Sequence, residues 1–186
     1  MFLTVIIGRD LNQSLQIAGE NSLEIKKAMS SVPLNQSKGM QWLVTHMPAE
    51  DLKNVKAEFL LLNSNIAHKA RENTKWGQEI PENLFFSYVL PYANLNETVE
   101  SWRLDFFNKF YPMVKDMQSA YDAVVFLNQK IFDELGVIYS TKRPKADQSP
   151  YESINAGMAS CTGLSILLID VCLSLIHISE PTRHER

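Results

Sequence analysis

Residues Leu164 to Cys172, LSILLIDVC, constrain the fold of this chain more than any other stretch. Leu164, Leu167, Leu168 and Val171 mark one face of a helix, and Ile166 and Ile169 make much of the rest apolar too. A helix apolar on nearly every side has no face to turn to water, so it belongs in the middle of a domain. The rest of the chain must then supply amphipathic elements to pack around it.

It does so as stretches of helical periodicity between turn signals. Asn21 with Glu24 forms a capping-box pattern ahead of Leu23, Ile25, Ala28, Met29 and Val32, and Pro33 ends that helix. SKGMQWLVTHM places Met40, Leu43, Val44 and Met47 on one face before Pro48. DLKNVKAEFLLLNSNIAHKAREN reads as one longer helix with Val55, Phe59, Leu62, Ile66 and Ala70 inward. Pro81 suits the first turn of a helix carrying Leu84, Phe85, Tyr88 and Val89, which Pro91 stops. Asn96 is the expected cap of ETVESWRLDFFNKFY, with Val99, Trp102, Phe106 and Phe110 buried and Pro112 kinking or ending it. QSAYDAVVFLNQKIFDEL turns Ala120, Val124, Leu127, Ile131 and Leu135 inward and stops at Gly136. VIYS is the one strand of note. Ser149-Pro150-Tyr151-Glu152 matches a helix start, and Gly157 breaks that short turn. The expected fold class is mostly α.

With 45% hydrophobic and 21% charged residues, the chain has the composition of a globular protein that buries a core. A net charge of −3 gives no electrostatic case for nucleic acid. The densest basic run, Lys142-Arg143-Pro144-Lys145, reads as a solvated loop. No segment has the about 18–20 apolar residues of a membrane span. The opening MFLTVII lacks a basic leader and a cleavage site; it fits either the stump of an export signal or a buried first segment, and the compartment stays open. His46 and His68 have no partner at metal-ligand spacing, so no metal or cofactor is expected.

The two cysteines, Cys161 and Cys172, would stand roughly 16 Å apart on one helix, too far for a disulfide. Cys161 falls at the start of the apolar helix, where unpaired N–H groups and the helix dipole favour negative charge on sulfur. Gly163, one turn in, would leave room beside the sulfur for another chain. A lone cysteine on an apolar helix is equally a small packing residue.

GMASCTGLSILLIDVC resembles the nucleophile segment of the transglutaminase-like superfamily, a branch of the papain-like cysteine enzymes, with Ser160, Cys161, Gly163, Ser165, Leu167 and Leu168 in the signature places. RPKADQSPYESINAG is similar to the lead-in of a bacterial subgroup, and WGQEIPENLFFSYVLPYANLNETVESWRLDFF to its helical region. The resemblance implies a helical N-terminal region over 1–140 and, over 141–172, the start of an α+β core whose β-sheet is missing. It implies that Cys161 is the catalytic nucleophile, attacking an amide of a protein or peptide substrate and forming a thioester. The family's His and Asp lie on strands after this helix. Here the pattern stops at Cys172, and residues 173–186, ending in SLIHISEPTRHER, resemble translated adapter sequence of the kind carried into genes from environmental reads. His177 and His184 fall in that tail and are not assigned as the base. The chain is thus expected to be a truncated thiol enzyme without turnover. The alternative is a non-catalytic helical protein-binding module in which Cys161 only packs.

Overall fold

The structure, a computed structural model, describes residues 9–175. The MFLTVII opening, His177 and His184 lie outside the described residues. The protein is mostly helical, and it divides into two compact units, residues 1–65 and 66–186.

In the first unit, α1 (Leu11–Ala18) packs against α2 (Ser22–Ser31), α3 (Ser37–His46) and α4 (Ala49–Asn54), and α5 (Ala57–Asn73) begins before the division. Ile25, Ala28, Met40, Val44, Leu52 and Leu60 form its fully buried core. Asp10 and Gln13 make a reciprocal capping box on α1, with Asp10 Oδ1 accepting from Gln13 N at 2.8 Å and Gln13 Oε1 accepting from Asp10 N at 3.2 Å. Val32 and Met47, each before a proline, turn extended and end α2 and α3.

Two expectations fail here for one reason. Asn21 does not cap α2. It lies in a 3-10 turn with helical dihedrals (φ −74°, ψ −3°), and its Nδ2 donates to the carbonyls of Leu52 (2.9 Å) and Val55 (2.8 Å). Glu24 accepts from the Ala57 amide at 2.8 Å. These two side chains close the end of α4 and the beginning of α5, where Val55 is extended at ψ 143°. The single long helix expected from the local pattern is therefore two. Of the expected inward stripe, Val55, Ile66 and Ala70 are buried but Phe59 and Leu62 are only half-buried, and Ala57, Leu60 and Ala67 are sealed beside them.

Asn21→Ala removes both buried donors and leaves two carbonyls unsatisfied, a loss of about 2 kcal/mol. Urea denaturation measures it, and an unchanged midpoint would show that water replaces the amide freely.

In the second unit, α6 (Lys75–Glu79) and α7 (Glu82–Tyr88) lead to a loop, 89–101, and then to α8 (Trp102–Val114) and α9 (Ala120–Leu135). Asn96 does not start a helix. Glu97 instead folds its carboxylate onto the amides of Asn94 (2.6 Å) and Leu95 (2.7 Å), so the chain stays a loop until Ser101. Nor does Pro112 end α8, which runs on to Val114 because Phe110 and Val114, both fully buried, hold its last turn in place. Gly136 adopts the left-handed conformation (φ 66°) and stops α9.

β1 (Ile138–Tyr139) pairs in parallel with β2 (Met158–Ala159), Ile138 opposite Met158 and Tyr139 opposite Ala159. The crossover carries α10 (Pro150–Ala156). α11 (Cys161–Leu175) follows β2 directly and packs against α8, α9 and α10. Its last six residues are buried on every side, the central position its composition demands. Among the described residues, no helix is long and apolar enough to cross a membrane.

Candidate functional site

The head of α11 is built by a short chain of caps. Pro150 opens α10 behind Ser149, whose amide donates to Glu152 Oε2 at 2.8 Å. Gly157 ends α10 in the left-handed conformation (φ 62°) and directs the chain into β2. Ser160 then caps α11: its Oγ accepts from the Gly163 amide at 3.0 Å and donates to the Ala146 carbonyl, and its own carbonyl accepts from Leu164 N at 2.9 Å.

Cys161 is the first residue of α11 and is exposed. One turn on, exposed Ser165 donates its hydroxyl to the Cys161 carbonyl at 2.9 Å. The described residues give the Cys161 sulfur no hydrogen-bond partner. Gly163 corrects the expectation of an open space beside the sulfur. It is buried, and a Cβ there would lie 3.0 Å from Ala159 Cβ and 3.6 Å from Ser153 Oγ. Its lack of a side chain lets α11 close on β2 and α10, not on another chain.

The flank of the site is tied down electrostatically. Lys145 reaches Glu152 at 2.8 Å, which raises the Lys145 ammonium above its ordinary value. Burial works against the Glu152 charge, but Lys145 and the Ser149 amide outweigh it and hold the carboxyl down at about 2. Tyr151 donates its hydroxyl to Asp105 Oδ2 at 2.5 Å, fastening α10 to α8, while its amide donates to Glu100 Oε2 at 2.9 Å. Of the basic run, Lys145 is thus engaged with α10, and Arg143 folds back on the Thr141 carbonyl at 2.8 Å.

No protein family, curated protein or solved structure matches this chain. What the site can do therefore rests on its own geometry.

The two cysteines differ sharply. Cys172 is buried, and burial together with Asp170 pushes its thiol up to about 12. His46 stacks on Trp42 with ring centroids 4.2 Å apart, and its Nδ1 lies 2.8 Å from the Trp42 carbonyl. Buried His68 meets the Phe85 ring edge-on at 4.9 Å. Among the described residues, no group of three or more His, Cys, Asp and Glu is placed to hold a metal ion.

Beneath the apolar half of α11 lies a polar group that the sequence reading missed. Arg103, buried in α8, donates to the carbonyls of Leu173 (2.6 Å), Val89 (3.0 Å) and Pro91 (2.5 Å). Burial pulls its guanidinium down to about 9, with Asp170 acting the other way. Asp170 is fully buried, and neither of its oxygens has a hydrogen-bond partner. The available signals were a lone Asp inside LLIDVC and a lone Arg beside an aromatic run, SWRLDFF.

Proposed function

We propose that this protein is a thiol-dependent acyl-transfer protein of transglutaminase-like character, with Cys161 as nucleophile and a protein or peptide amide as substrate. The observation that carries the reading is an exposed cysteine on the first residue of a helix whose far end, residues 170–175, is fully enclosed. The thiolate attacks the amide carbonyl, the C–N bond breaks, the protonated amine leaves, and a thioester remains on Cys161. Water or a second amine then takes the acyl group and returns the thiol. Backbone N–H groups at the head of α11 offer the developing oxyanion a donor.

Protonating the leaving amine requires an acid, which in the resembled family is a His oriented by an Asp. The described residues bring neither to the Cys161 sulfur. Among the described residues Cys161 is therefore expected to take an acyl group from an activated ester, whose leaving group departs without a proton, while expulsion of an amine from an amide awaits an acid from elsewhere. The rival reading, a binding module in which Cys161 only packs, fits an exposed side chain poorly; Cys172 has the surroundings of a packing cysteine.

The test is acylation by an activated ester followed by intact and peptide mass spectrometry. The expected result is one acyl group, on Cys161 and not Cys172, that is released by an added primary amine and absent from Cys161→Ala. A chain whose Cys161 is alkylated readily by iodoacetamide yet takes no acyl group would refute the reading.

A further inference from the structure

Asp170 on α11, Glu97 in the 89–101 loop and Arg103 on α8 are each sealed from solvent, and the charges of Glu97 and Arg103 both act on Asp170. Both oxygens of Glu97 accept from backbone amides, the arrangement of a carboxylate. Arg103 supplies one positive charge and donates to backbone carbonyls, among them two in the 89–101 loop and one at the end of α11. Among the described residues the count is one cation against two carboxyls. Electrical neutrality in a sealed place requires one proton, and Asp170 is the carboxyl with no donor to hold a charge. Asn94 lies beside it, but its Nδ2 is also without a partner, so no hydrogen bond of normal geometry compensates.

We propose that Glu97, Arg103 and Asp170 form a proton-operated latch: one proton on Asp170 keeps the 89–101 loop closed against α8 and α11, and its loss opens the loop. With the proton gone, the closed group carries an uncompensated negative charge. Opening the loop brings water to Asp170 and frees Glu97 from its neighbour. The groups acting on Asp170 are Glu97, Glu100 and Asn94 from the loop and Arg103 from α8. α9 and α10, the other helices packed on α11, contribute none of these. On its own helix the neighbour is Cys172, whose thiol is held protonated by burial and by Asp170.

Burial, with Glu97 adding to it and Arg103 opposing it, raises Asp170 well above the usual carboxylate range, so the closed state binds more protons than the open one. Closure is therefore strongest below the ordinary aspartate value of about 3.9 and weakens as pH rises. The opening constant climbs about tenfold per pH unit until the raised value is reached, then levels.

Amide exchange of residues 89–101 in the full chain, corrected for intrinsic rates and followed from about pH 5 to about pH 9, reads this directly. Wild type should lose protection with rising pH, most visibly at Asn94 and Leu95, while Asp170→Asn should stay protected throughout. Should that variant not fold, Glu97→Gln serves. It leaves one cation and one carboxyl, so Asp170 ionises without opening the loop and the pH dependence shrinks. The carboxyl carbon shift of Asp170 in wild type should move together with the loss of protection. A flat wild-type profile, or an Asp170 already ionised at the lowest pH with the loop closed, would overturn the proposal.

Discussion

Replacing Arg103 with methionine should destabilise the protein by about 3–5 kcal/mol, because it removes the one cation that the described residues place in a sealed group with two carboxyls. Methionine fills much the same volume and packs well, so the loss is electrostatic and hydrogen-bonding rather than a cavity. Three carbonyls, at Val89, Pro91 and Leu173, lose their donor at once. The guanidinium also leaves the Trp102 ring, over which it now sits at 5.0 Å. For a chain of this size the melting temperature should fall by roughly 10 °C. The deficit should grow with pH, since Asp170 and Glu97 then share the site with no positive charge between them. That slope separates the electrostatic account from simple mispacking, which would be indifferent to pH. A melting temperature within a degree or two of wild type would mean that solvent already reaches Arg103.

The second large effect is expected at Gly77, where a single methyl group has no room. α6 is one short turn, and it begins where Thr74 caps it by accepting from the Gly77 amide at 3.2 Å. The same hydroxyl donates back to the Ala70 carbonyl at 3.0 Å, so the end of α5 and the start of α6 share one side chain. A Cβ on Gly77 would stand 2.7 Å from the Arg71 carbonyl oxygen and 2.9 Å from Arg71 Cα, and it would also strike the Thr74 hydroxyl. The obstruction is backbone, and Arg71 is itself held by a 2.7 Å bond to the Ile80 carbonyl and by the Phe85 ring. Gly77→Ala is therefore expected to cost about 3 kcal/mol, the upper end of the usual overpacking range. The urea midpoint measures it. An unchanged midpoint would show that the α5–α6 corner shifts without resistance.

What the sequence made legible was whatever neighbouring residues decide among themselves. Pro33 and Pro48 stop α2 and α3 by restricting the residue before them, whereas α7 ends at Tyr88, ahead of Pro91. Gly136 and Gly157 take the left-handed conformation that few other residues tolerate. Ser149, Pro150 and Glu152 start α10, and the run from Leu164 onward is enclosed at its far end. The position of Cys161 on the first residue of α11 follows from the same local signals.

What stayed hidden depends on partners far along the chain. Glu97 looks like part of a helix until its carboxylate is seen holding two amides of a loop. Asp170 and Arg103 looked like isolated charges because their meeting requires α8 and α11 to pack first. β2 is two residues between a glycine turn and a helix, too short to show alternation. Gly163 was read toward the sulfur, but helix rotation places it toward Ala159 and Ser153.

The corner between α4 and α5 carries a consequence for anyone transplanting parts of this protein. The nine positions from Ala49 to Ala57 bend only because Asn21 and Glu24 reach them from a different stretch of chain. Moved into a new host without those two side chains, the segment would lose its instruction to bend. Positions 21 and 24 and the corner thus form a single heritable unit, although some thirty residues of chain separate its halves.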